Sequence, residues 1–124
     1  MVRKILIIDD EQNVLDFLDQ CVRKLQHEPI PAATCREALA ALDAHPEISI
    51  VIADIFMPDS PPLDWIKDIA RKSAKRPLIL ITGMPSQEIV QAAREAGVQH
   101  FLTKPFELPF LHEILKKLDT TDSD

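Results

Sequence analysis

At 124 residues the chain fits one domain with a real core and is too short for two. Its 46% hydrophobic and 27% charged composition is that of a soluble globular fold, and a net charge of −6 argues against gripping nucleic acid, which needs a basic face. The longest aliphatic runs, such as Ile5–Ile8 and Leu78–Ile81, are strand-length, with no membrane span or signal-peptide core, so a cytoplasmic protein is expected.

Lys4 to Asp9 reads as a continuous apolar strand, the kind buried on both faces of a parallel sheet. A helix follows, with Val14, Phe17, Leu18, Cys21, Val22 and Leu25 on one stripe. Glu28 to Ala33 is a short second strand; Pro29 and Pro31 cannot donate to a ladder, which suits an edge. Thr34-Cys35-Arg36-Glu37 is a capping box opening a second helix with Ala38, Leu39 and Leu42 inward. Ile48 to Ala53 is the third strand, ending at Asp54. Ser60 is the expected N-cap of the third helix, with Pro61 at its first position and Leu63, Ile66, Ile69 and Ala70 facing inward.

Leu78 to Ile81 is the fourth strand. Ser86 starts a helix carrying Ile89, Ala93 and Ala96, and Gly97 stops it with a left-handed cap. Val98 to Thr103 is the fifth strand. A last helix, Glu107 to Leu118, buries Leu111, Ile114, Leu115 and Leu118. The domain is therefore expected over 1–118, with 119–124 as a polar tail or the start of a linker. Five βα units imply a parallel sheet covered on both faces, with ligands beyond the carboxyl ends of its strands.

Those ends carry the chemistry. Asp9 and Asp10, Asp54, Thr82 and Lys104 close four of the five strands. Three converging carboxylates repel unless a cation joins them, and oxygen ligands favour a hard one, Mg²⁺ first. One carboxylate then serves as a nucleophile toward a phosphoryl donor, with Thr82 and Lys104 beside it. Taken singly, each residue also reads as a helix cap, a turn hydroxyl or a solvated charge. Their joint placement does not. Cys21 and Cys35 lack a CxxC spacing, and the four histidines form no HxxxH pair, so zinc and redox chemistry are disfavoured.

Ile5-Leu6-Ile7-Ile8-Asp9-Asp10-Glu11, Ala53-Asp54-Ile55-Phe56-Met57-Pro58, Ile81-Thr82-Gly83 and Thr103-Lys104-Pro105-Phe106 resemble the signature segments of response-regulator receiver domains. The resemblance runs from about Lys4 to Leu118. It implies an α/β flavodoxin-like (βα)5 three-layer sandwich with strand order 2-1-3-4-5. It makes Asp54 the phosphoacceptor, Asp10 a direct Mg²⁺ ligand, Asp9 a ligand through water and the Phe56 backbone carbonyl a further ligand. Thr82 would follow the phosphoryl group, Lys104 would pair with it, and the Lys104-Pro105 bond would be cis. Phe101 would be a second switch residue, or simply a packed strand residue. The implied partner is a sensor histidine kinase or phosphotransfer protein. Signals would leave through the face of the fourth helix, fifth strand and fifth helix, where homodimers can form. No enzyme activity is implied beyond the chain's own aspartyl phosphorylation and dephosphorylation.

Asp59-Ser60-Pro61-Pro62 departs from that family's usual glycine-containing loop, and its prolines restrict it. Phe56 is bulky for its place. A flavin module would need a glycine- and hydroxyl-rich loop where Asp10-Glu11-Gln12-Asn13 stands, and a haloacid-dehalogenase-like phosphatase would need Asp-x-Asp. The remaining alternative is a pseudo-receiver, a docking domain that never carries phosphate.

Overall fold

Continuous apolar strands demand cover on both faces, and the computed structural model, which describes residues 2–122 (side chains through 118), supplies it. Strands and helices alternate as β1 (Lys4–Ile8), α1 (Gln12–Lys24), β2 (Glu28–Ala32), α2 (Cys35–Ala44) and β3 (Ile48–Asp54). They continue as α3 (Pro62–Ser73), β4 (Leu78–Thr82), α4 (Gln87–Glu95), β5 (His100–Thr103) and α5 (Leu108–Asp122). All pairings are parallel and the order is β2-β1-β3-β4-β5, the flavodoxin-like arrangement. Proline-bearing β2 stands at one edge, paired only with β1.

Alternate residues of each strand feed two cores. Leu6, Ile8, Val51, Ala53 and Leu80 pack with Ala38 and Leu42 of α2, Trp65, Ile66 and Ile69 of α3, and Ile89 and Ala93 of α4. On the other face Ile5, Ile7, Ile50, Ile52, Ile79 and Ile81 pack with Leu15, Leu18 and Val22 of α1 and Leu111 and Leu115 of α5. Each fully buried aliphatic side chain contributes about 1.5–3 kcal/mol, so the sheet's centre is where the fold is held.

The capping signals act as read. Thr34 Oγ1 accepts from Glu37 N at 3.0 Å while Glu37 Oε2 accepts from Ala33 N at 2.8 Å, and Ser86 Oγ accepts from Ile89 N at 3.2 Å. Gly97 adopts φ 86° after α4.

Four boundaries or faces differ from expectation. The N-cap of α3 is Pro61, not Ser60, with φ −62° and ψ 142°. A residue before proline is pushed out of the helical region, so Pro62 rather than Pro61 opens the helix. β5 starts at His100, not Val98. The Val98 N–H is bonded to Ala93 O in the terminal turn after α4, so it is not available to a strand ladder. Phe17 is 39% exposed rather than inward, and its ring meets Phe106 edge-on at 5.7 Å. Finally, α5 runs on as helix through Asp122, past the expected end at Leu118, and the last two residues of the expected tail lie outside the described residues.

Candidate functional site

β1 and β3 lie side by side at the centre, so the residues just past Ile8 and at the end of β3 emerge together. Asp9, Asp10 and Asp54 can each place a carboxylate oxygen within 4.8 Å of the others. Asp9 and Asp54 are buried and Asp10 is exposed, so the cluster has a dry floor and an open rim. Neither Asp9 nor Asp10 caps α1, whose N-cap Glu11 makes no side-chain cap bond. The cap reading of that pair therefore falls. Asp9 Oδ1 instead accepts from Glu11 N at 2.9 Å, which fixes the turn.

β5 delivers Lys104 from the far side. Its backbone N–H donates to Thr82 O at 2.8 Å, and the Lys104–Pro105 peptide bond is cis. The ammonium donates to Asp9 Oδ2 at 2.8 Å and lies 3.5 Å from Asp54 Oδ1. Burial works to lower the Lys104 pKa, but its hydrogen bond to Asp9 and the charges of Asp54 and Asp9 outweigh it and raise it. Asp54 moves the other way from an ordinary carboxylate. Burial first, then the charge of Asp9, push it up to about 6 against the pull of Lys104.

One ammonium therefore does not balance the carboxylates. All-oxygen donors, two of them on dry carboxylates, fit a hard divalent cation, and the backbone carbonyl of Phe56, two residues past Asp54 in sequence, is of the same donor class. Thr82 is fully buried at the end of β4, and its Oγ1 accepts from Met84 N at 3.0 Å. Phe101 is half-buried against the α2–α3–α4 core, and Phe56 is 39% exposed beside Asp54. Every residue singled out at a strand end thus arrives at the same pole of the sheet, while Phe101 lies within β5.

Two contributors were not foreseen. Trp65 is fully buried on α3, and its indole Nε1–H donates to the Asp54 carbonyl oxygen at 2.9 Å. The β1–β3 pairing ends at Ile8–Ala53, so this carbonyl lies past the last strand partner on that edge. A tryptophan at helical spacing between Leu63 and Ile66 signals burial, but nothing in the pattern says where its N–H ends. Asp59 is the second. Its carboxylate accepts from Cys35 N at 3.0 Å and Arg36 N at 3.2 Å, tying the proline loop to the N-terminus of α2. These bonds hold its carboxyl below the usual range even though its partial burial works to raise it.

Comparison with known proteins agrees with this geometry. The sequence profile of the response regulator receiver domain matches residues 5–116. Chemotaxis protein CheY of Thermotoga maritima is 30% identical over 120 residues, covering 95% of this chain and 98% of that protein. Response regulator protein PilR of Pseudomonas aeruginosa is 29% identical over 113 residues, and the chain spans only 25% of that relative's length. Among solved structures, a CheY-like receiver domain protein from Methanospirillum hungatei is 27% identical with a TM-score of 0.87, over 99% of this chain and 98% of that one.

Proposed function

The chain belongs to the response regulator receiver domain family, and from that membership we propose that it accepts a phosphoryl group on Asp54 and answers with an altered protein-binding face. The observation that carries this reading is the convergence of Asp9, Asp10 and Asp54 with Lys104, 2.8 Å from Asp9 and 3.5 Å from Asp54.

Asp54 is the nucleophile. One of its carboxylate oxygens attacks the phosphorus of a phosphohistidine on a sensor kinase or phosphotransfer protein. The O–P bond forms as the P–N bond breaks, and the departing imidazole keeps the electron pair and takes a proton from solvent. Asp9, Asp10, Asp54 and the Phe56 carbonyl would hold Mg²⁺, which would supply charge neutralisation at the phosphoryl oxygens. Lys104 moves from Asp9 to pair with a phosphoryl oxygen. The Thr82 hydroxyl, now an acceptor for Met84 N, turns to donate to another. Phe101 follows inward, and the α4–β5–α5 face changes shape, which is where partner docking or homodimerisation responds. The chain acts catalytically only on itself, in a cytoplasmic setting; among the described residues no helix is long and apolar enough to cross a membrane.

The test is intact mass after incubation with acetyl phosphate and Mg²⁺, beside Asp54→Asn. One phosphoryl adduct on the native chain, absent from the variant and after prior chelation, is expected. A folded native chain that never gains the adduct from acetyl phosphate or from a kinase would instead be a phosphate-independent docking domain. We further propose that the Phe56 ring screens the acyl phosphate from water and slows its loss. Phe56→Asn should shorten the phosphoryl lifetime, and an unchanged or longer lifetime would refute the role.

A further inference from the structure

Val51 and Ile55 donate their backbone N–H groups to the Pro77 and Ile81 carbonyls on the β4 side, each at 3.0 Å. Backbone groups of neighbouring residues face opposite edges of a strand, so the Asp54 carbonyl turns toward β1. Pairing with β1 has ended one residue earlier, at Ile8–Ala53, and the Trp65 indole N–H takes this carbonyl at 2.9 Å.

The peptide unit that follows the Asp54 α-carbon is therefore held from both sides. Its carbonyl is bonded by a side chain of α3, and its N–H, that of Ile55, by a carbonyl of β4. Trp65, Ile55 and Ile81 are all fully buried. Turning this peptide plane breaks a buried hydrogen bond at one end or the other. The connection that follows is fixed as well: Met57 is buried in the same core as Trp65, and Asp59 is bonded to Cys35 N at 3.0 Å. Asp54 thus leaves the sheet on a backbone with little freedom to swing its carboxylate against Asp9 and Lys104.

Filling the core does not account for the indole. Ile66 and Ile69 occupy the same helix, fully buried, with no polar atom to satisfy. An aliphatic or phenyl side chain at position 65 would fill that layer without burying an N–H, which needs an acceptor of its own. What tryptophan adds is the donor, and the donor is spent on the residue that carries the nucleophile.

We propose that Trp65 is a positioning residue for the Asp54 carboxylate: its indole N–H fixes the Asp54–Ile55 peptide and so aims the carboxylate at the cation and at the phosphoryl donor. The inference rests on the reading of Asp54 as phosphoacceptor, and a Mg²⁺ titration separates the two.

The chain has one tryptophan, so a tryptophan analogue enters at a single place. The test replaces Trp65 in the full chain by its benzothiophene isostere, which keeps the fused rings but carries sulfur in place of N–H. Trp65→Phe, a 5-fluorotryptophan chain that retains the N–H, and the core variant Ile66→Val run beside it, with amide dispersion confirming the fold of each. Mg²⁺ affinity is read from the ¹⁵N amide signals of residues 54–56, and phosphorylation by acetyl phosphate at saturating Mg²⁺ from intact mass. The isostere and Trp65→Phe should each bind Mg²⁺ about tenfold more weakly and, with the cation saturating, react about tenfold more slowly. The 5-fluorotryptophan chain and Ile66→Val should stay near native in both. Native affinity and rate in the isostere, losses that 5-fluorotryptophan fails to rescue, or equal losses in Ile66→Val would each overturn the role. If the native chain binds Mg²⁺ yet never gains a phosphoryl group, the phosphoacceptor reading fails, while weaker Mg²⁺ binding by the isostere still upholds the positioning of Asp54. A native chain that takes up no Mg²⁺ would overturn both.

Discussion

β3 and β5 both bring a charged group to the same pole, but they are built differently. β3 is central and buried at six of its seven positions, and α3 lies over it with Trp65, Ile66 and Ile69 fully enclosed. β5 is an edge strand with Leu102 as its only buried residue, and the neighbouring α4 buries just Ile89 and Ala93. The carboxylate that the proposed function has a donor find sits on the more deeply buried of the two strands. The ammonium that the same proposal has exchange partners follows the less buried edge strand, where local opening is cheaper. Such a division lets a change at one side chain be answered by one edge of the sheet while the acceptor stays in place.

Substitutions can break or sharpen that contrast. Ile52→Ala in β3 should cost about 4 kcal/mol and Ile89→Ala in α4 about 2 kcal/mol in urea unfolding; equal costs would erase the distinction between centre and edge. Trp65→Phe leaves the Asp54 carbonyl without its indole partner, and a loss of about 1–3 kcal/mol is expected. Slower phosphorylation than in Ile66→Val would add that the bond positions the acceptor as well as stabilising the fold.

The Asp54 carboxyl tests the strain held at the centre. Its pKa is raised to about 6, so the folded chain holds a proton there that the unfolded chain has released. Without metal, stability from this group is fullest at low pH and declines as pH rises from the ordinary carboxylate range through about 6. Asp54→Asn should remove that slope and raise the melting temperature at pH 7 in chelator by roughly 4 °C or more. Added Mg²⁺ should stabilise the native chain and not the variant. A melting temperature unchanged by the substitution would show that Lys104 already balances the cluster.

The smallest effect belongs to the far pole. Ala74 ends α3 at φ 56°, a conformation that disfavours a side chain. Ala74→Gly should stabilise by about 1 kcal/mol in the same unfolding measurement.

Much of this is legible in the sequence. Ile5–Ile8, Ile50–Ala53 and Leu78–Ile81 could only be two-sided strands, and once the strands alternate with helices their charged ends must share a pole. Thr34, Ser86 and Gly97 act within a few residues of themselves, so local spacing reveals them. What stayed hidden depends on distant partners. The Trp65–Asp54 bond spans 11 positions and the Asp59–Cys35 bond 24, and neither has a periodic trace. Phe17 differs from the stripe because its ring meets another ring at the rim, that of Phe106, carried by the loop between β5 and α5 and not by the core. The start of α3 was missed by one residue because two adjacent prolines compete for the same position, and the steric rule on the first decides it.

The chain has one tryptophan and no tyrosine, and that tryptophan touches Asp54 through its ring nitrogen. Its ultraviolet emission therefore comes from a single fluorophore wired to the reacting centre, with no second ring to blur the signal. If the proposed function holds, cation uptake, phosphorylation and hydrolysis at Asp54 should each change the light from Trp65 in the native protein, without a label, a coupled assay or a known partner.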